Sequence, residues 1–126
     1  MTDTFLLNDF YTLGSMVKTA PGKLTAEVIL NPGHSIFKGH FEQMPIVPGV
    51  CQTQIIKELL QQELDMNLVL YKGSNIKFMG MIIPRQYPAV TVEIEYSLVD
   101  NLYTAEAKIF RESVTFTKFK GDFAVI

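Results

Sequence analysis

Apolar positions recur at two different periods along the chain and divide it into one helix and a series of strands. Val90, Val92, Ile94, Tyr96 and Leu98 alternate with Thr91, Glu93, Glu95 and Ser97, the period of two expected of a strand with one buried face. Tyr103, Ala105, Ala107 and Ile109 repeat that period after Asp100-Asn101, a pair suited to a tight turn. Leu24 to Leu30 predicts an earlier strand between the Ala20-Pro21-Gly22-Lys23 turn and the break at Asn31-Pro32-Gly33. Ser74 to Ile83, closed by Pro84, and the β-rich stretch from Ser113 to Lys120 predict two more. Residues 5–17, with Phe5, Leu6, Leu7, Phe10, Tyr11 and Leu13, predict a short helix leading into a strand.

The helical period appears in Val50 to Leu64. Ile55, Ile56, Leu59, Leu60 and Leu64 share one arc at 100° per residue, while Gln54, Lys57, Glu58, Gln61 and Gln62 fall on the other side. A helix of about 16 residues would be roughly 24 Å long. One long helix against one antiparallel sheet is an α+β layer architecture. An open sheet edge is a place for a second subunit to pair.

Composition narrows the class. The chain has 126 residues, room for one domain over residues 1–126. Hydrophobic residues make up 48% and charged residues 19%, too apolar for disorder. A net charge of −2 argues against nucleic-acid binding. A single cysteine precludes a disulfide framework within the chain and fits a reducing compartment. No apolar run reaches membrane-spanning length, and Met1-Thr2-Asp3-Thr4 lacks the basic start of a signal peptide. The expectation is a cytoplasmic protein with no membrane span.

Candidate chemistry concentrates between His34 and Leu60. Residues 34–48 hold two histidines, a glycine and two prolines, which predicts a shaped loop. Pro48-Gly49 then opens the helix. A helix start leaves backbone N–H groups without intrahelical partners and carries partial positive charge. His40, after Gly39, can take and give a proton near neutral pH. An imidazole beside such donors suits proton abstraction next to a carbonyl whose oxygen the N–H groups polarise.

Phe37-Lys38-Gly39-His40-Phe41 and Pro45-Ile46-Val47-Pro48-Gly49-Val50 resemble the loop of the bacterial 3-hydroxyacyl-acyl-carrier-protein dehydratases, which share the hotdog fold. Asn75-Ile76-Lys77-Phe78, Ile83-Pro84 and Tyr103-Thr104-Ala105-Glu106-Ala107 resemble later strands of that family. The resemblance implies a hotdog fold, a long central helix wrapped by an antiparallel β-sheet. It implies a homodimer, alone or within a larger assembly, with sites built from both chains. It also implies conversion of a 3-hydroxyacyl thioester, on an acyl carrier protein or coenzyme A, to a trans-2-enoyl thioester, with no cofactor and no metal. His40 would be the catalytic base. The Gly49 N–H would hold the thioester oxygen, with Val50, Phe37 and Phe41 against the substrate.

Three features depart from the family. Gln54 stands fourteen residues after His40, where the family has an acidic residue contributed across the dimer. An amide hydrogen-bonds but does not titrate. Two substitutes for the lost acid are available: His40 acting first as base and then as acid with Gln54 orienting the hydroxyl, or Glu58, one turn along the helix. Glu42 replaces a proline, and Arg85-Gln86 replaces Gly-Asp. Gln54 also motivates a catalytically silent acyl-binding subunit, and Glu42 with Glu58 a hotdog acyl thioesterase. Among the remaining residues, His34 is expected to cap or pack the loop start. Cys51 is expected to act as a small hydrophobe rather than a nucleophile. Met44, Met79 and Met81 are read as core filler ahead of an apolar channel. Glu93 and Glu95 are read as a solvated strand face, and Lys38, Lys72, Lys77 and Arg85 as a local patch for an acidic carrier.

Overall fold

The computed structural model describes residues 4–38 and 45–126. A single sheet holds six antiparallel strands: β1 (Tyr11–Ala20), β2 (Lys23–Leu30), β3 (Leu68–Phe78), β4 (Ala89–Val99), β5 (Leu102–Arg111) and β6 (Val114–Val125), in the order β1-β2-β4-β5-β6-β3. The helix α1 (Gly49–Leu64) packs on this sheet, and the architecture is α+β with the hotdog layout. β1 and β3 form the two edges.

The period-two segments bury the predicted faces. Val90, Val92 and Ile94 of β4 are sealed against α1, as are Ala105, Ala107 and Ile109 of β5. From the helix, Ile55, Ile56, Leu59 and Leu60 complete the same core. Turn chemistry also follows the sequence. Gly22 takes φ +74 between β1 and β2, where a Cβ would lie 2.7 Å from the Tyr96 carbonyl oxygen. Asp100 and Asn101 both adopt positive φ between β4 and β5, the backbone that matches hairpin twist.

Three expectations are corrected. Residues 5–10 make no helix. The Asp9, Phe10 and Tyr11 N–H groups all converge on the Leu6 carbonyl in one tight turn, and the preceding N–H groups are held by a side chain of α1. The strand expected over Ser74 to Ile83 begins at Leu68 and ends at Phe78. Both the Met79 and Gly80 N–H groups then bond the Phe116 carbonyl, which ends the ladder. Met79 and Met81 are more than half exposed rather than core filler. Beyond these corrections, part of the polar side of α1 is itself covered. Gln52, Glu58 and Gln61 are buried, Glu58 completely. The chain covers that side too, and each of the three has hydrogen-bond partners.

Candidate active site

The start of α1 is built by Pro48, whose extended backbone (φ −63°, ψ 150°) turns the chain into the helix. Proline has no side-chain acceptor, and no side chain caps this end. Cys51 and Gln52 donate their N–H groups to the Pro48 carbonyl. Those of Gly49 and Val50, one step earlier, have no partner among the described residues. Gly49 allows a close approach here: a Cβ would sit 2.7 Å from the tip of the Phe78 ring. The Val47 N–H bonds the Ile82 carbonyl, so the segment after β3 runs beside the helix entry. Val50, Phe78, Met79 and Met81 are all exposed here. Such a group of apolar side chains marks an interaction surface more often than a free one.

Further along α1, Glu58 organises a second cluster. Its Oε2 accepts from the N–H groups of Phe5 (3.0 Å) and Leu6 (3.0 Å) and from Gln54 Nε2 (2.8 Å). Its Oε1 accepts from Leu7 N–H (2.9 Å) and Tyr11 Oη (3.1 Å), with a longer contact to Leu6 N–H. Every group facing this carboxylate is a donor. Burial and the neighbouring Glu58 charge hold the Tyr11 phenol protonated well above its ordinary range. This clamp fixes the segment before β1 across the helix. It also corrects the idea that Glu58 replaces the missing catalytic acid: its oxygens are committed to the fold.

The remaining candidates separate cleanly. His34 caps the short 3₁₀ turn Ser35–Phe37 by accepting from the Ile36 N–H at Nδ1 (3.0 Å), so its proton lies on Nε2 and points at Asp9 Oδ2 (2.9 Å). Its ring meets Phe10 edge-on at 5.3 Å. The expected capping role holds. Cys51 is buried, and desolvation pushes its thiol pKa up, the opposite of an activated nucleophile. Phe37 is 6% exposed and packs on Phe10 within the core. His40, Phe41, Glu42 and Met44 lie outside the described residues. Gln54 is partly exposed, with its Nε2 given to Glu58.

Glu93 and Glu95 do lie on an outer, solvated face, paired with Lys108 (3.7 Å) and Lys23 (3.2 Å). Of the anticipated basic patch, Lys77 stands in register with Lys118 of β6, which in turn faces Lys108 of β5. Three lysines thus cross three neighbouring strands in one row. They line a groove of about 410 Å³ with Lys120, Glu93, Glu95 and Glu106. Like charges opposed across strands cost stability. Sequence reasoning missed Lys118 because only strand register brings it beside Lys77.

With this geometry in place, comparison with known proteins bears on its meaning. Residues 17–115 match the ApeI-like family, described as ApeI dehydratase. A search of curated proteins finds no significant match. Among solved structures, the dehydratase heterocomplex ApeI:P from Xenorhabdus doucetiae aligns with TM-score 0.72 at 19% identity, over 90% of this chain and 97% of that one. An uncharacterized protein from Erwinia carotovora subsp. atroseptica aligns with TM-score 0.58 at 21% identity, over 91% and 92%. A candidate thioesterase from Shewanella oneidensis gives 0.54 at 15% identity, over 89% and 82%. These three share the fold. Among the described residues no helix is long and apolar enough to cross a membrane.

Proposed function

The chain belongs to the ApeI-like dehydratase family, and from that premise we propose that it removes water from a 3-hydroxyacyl thioester to give a trans-2-enoyl thioester. The observation that carries the reading is the uncapped start of α1 at Gly49-Val50, bordered by exposed apolar side chains and inside the span that matches the family. The thioester carbonyl acidifies the neighbouring α hydrogen. The Gly49 N–H stabilises negative charge developing on the thioester oxygen, and Phe37, Phe41 and Val50 flank the acyl chain. His40 takes the α hydrogen as base. Its imidazolium then returns a proton to the departing 3-hydroxyl, so one residue serves both steps. Gln54 of the opposite subunit orients that hydroxyl.

Two subunits pair at the β3 edge, where Phe78, Met79 and Met81 beside Val50 supply the apolar seam. The carrier is an acyl carrier protein or coenzyme A, and the Lys77–Lys118–Lys108 row fits an anionic carrier. The test follows enoyl absorbance and free thiol together after adding a 3-hydroxyacyl pantetheine thioester. Enoyl formation that disappears in His40→Ala supports dehydration; thiol release in its place defeats it.

A second reading is a subunit that binds acyl chains without turning them over. Gln54 favours it, since neither it nor the committed Glu58 supplies an acid, and the Xenorhabdus relative is a heterocomplex. Ligand-induced stabilisation without product in the same assay would select that reading. Assembly is tested by sedimentation of the purified chain alone, where a monomer would defeat the homodimer.

A further inference from the structure

The buried carboxylate of Glu58 has no part in the reaction as derived, yet it contacts Gln54, the side chain that orients the 3-hydroxyl. Gln54 lies one helical turn before it, and the 2.8 Å contact joins Gln54 to Oε2 of Glu58. A carboxylate oxygen that already accepts the Phe5 and Leu6 N–H groups has no proton to offer an amide oxygen. Only the NH₂ end of Gln54 satisfies that contact. The amide orientation is therefore fixed by chemistry. Its other end, Oε1, points away from Glu58, and nothing among the described residues donates to it. Gln54 itself is partly exposed.

We infer that Glu58 is a positioning residue that locks Gln54 with its oxygen outward, so that Gln54 meets the substrate as an acceptor and never as a donor. The inference rests on the proposed dehydratase reading and refines it. Oε1 accepts the hydrogen of the 3-hydroxyl, which turns a lone pair of that oxygen toward the imidazolium left on His40 after it removes the α hydrogen. The Cα–H electron pair becomes the new Cα–Cβ bond and the C–O bond breaks. The imidazolium proton passes to the leaving oxygen, so water departs and neutral imidazole is restored. An amide turned the other way would donate to one of the hydroxyl oxygen's two lone pairs and leave the hydroxyl hydrogen unheld, so that nothing turns the second lone pair toward the imidazolium. The acidic side chain one turn along the helix thus keeps a use in the site without touching substrate.

The same carboxylate also anchors Phe5, Leu6, Leu7 and Tyr11, and these donors divide between its two oxygens. Glu58→Leu removes both oxygens and with them the partner of Gln54 Nε2, so the Gln54 amide is no longer held and either end can face outward.

The experiment measures kcat and KM for a 3-hydroxyacyl pantetheine thioester in four proteins: wild type, Glu58→Leu, Gln54→Leu and the double variant. Loss of one orienting hydrogen bond at the reacting centre is expected to lower kcat about tenfold. Glu58→Leu should show that loss with KM changed less than about threefold, and the double variant should be no slower than Gln54→Leu alone, because the two residues act as one unit. Glu58→Leu with a lowered melting temperature but wild-type kcat overturns the inference, because the contact would then be structural only. Wild-type kcat in Gln54→Leu instead removes the underlying assignment of Gln54 to the site. If Glu58→Leu does not fold, Gln54→Glu decides. It keeps an outward acceptor and should outrun Gln54→Leu by about tenfold; equal rates would mean that residue 54 serves as a donor.

Discussion

Gln54→Glu probes the Gln54–Glu58 contact without reference to turnover. The substitution puts a carboxyl where Nε2 now lies, 2.8 Å from Glu58 Oε2. Two full charges at that distance repel by about 6 kcal/mol at an effective dielectric of 20. Water reaches Gln54, which is only partly buried, so a ceiling nearer 3 kcal/mol is appropriate for a more screened pair. The folded protein has a cheaper route, which is to keep one proton on the pair. Protonating the introduced glutamate costs about 1.4 kcal/mol for each pH unit above its ordinary pKa of about 4.3. The like charge raises the folded-state pKa of that carboxyl above its unfolded value. Its contribution is therefore fully present below pH ~4.3 and lost as pH rises toward the folded value. The stability gap between wild type and variant should be about 1 kcal/mol at pH 5 and about 3 kcal/mol at pH 7, then level off. Urea unfolding of both proteins in matched buffers at pH 5, 6, 7 and 8 reads this directly. A gap that stays constant from pH 5 to pH 8 would refute the contact and the amide orientation deduced from it.

Glu58→Ala strands the Leu6 and Leu7 N–H groups and the Tyr11 hydroxyl together; a loss of about 3–5 kcal/mol is expected, seen as a melting-temperature drop in calorimetry, and a change below 1 kcal/mol would contradict the clamp. Gly49→Ala drives a methyl into the Phe78 ring. That ring is half exposed and free to swing aside, so stability should move by less than about 1 kcal/mol, whereas enoyl formation falls as the helix entry is reshaped. Cys51, buried with its thiol pKa raised, should react with iodoacetamide at pH 8 much more slowly in the native than in the urea-unfolded chain; equal rates would place it at the surface. Tyr96, pushed up to about 12 by desolvation and by its hydrogen bond to Glu63, stabilises the fold below the ordinary tyrosine range. That contribution disappears as pH climbs toward 12, so native-state phenolate absorbance should rise late and together with unfolding.

Local pattern decided much of this protein. Val90, Val92 and Ile94 had to share a face because side chains alternate along a strand, and they do so wherever a core exists to receive them. The same holds for the arc of Ile55, Ile56, Leu59 and Leu60, for the turns at Gly22 and Asp100-Asn101, and for the proline entry to α1 at Pro48-Gly49. His34 was legible as a cap because its reach is two residues. Each of these depends on neighbours close in sequence, which the chain spells out in order.

Other features exist only through contacts between distant segments. Glu58 reads as an exposed glutamate on a polar helix side until residues from Phe5 to Tyr11, 47 to 53 positions away, fold over it. Residues 5–10 stay out of a helix because Asn8 takes φ +68 and gives its N–H to the Tyr11 carbonyl ahead of it. Lys118 joins Lys77 and Lys108 through strand register alone, and Met79 and Met81 stay outside because they follow the end of β3 at Phe78, on a sheet edge. Hydrophobic periodicity encodes which face of an element is buried. It does not encode what arrives to cover the polar face, and that arrival turned Glu58 from a candidate acid into the anchor that sets the orientation of Gln54.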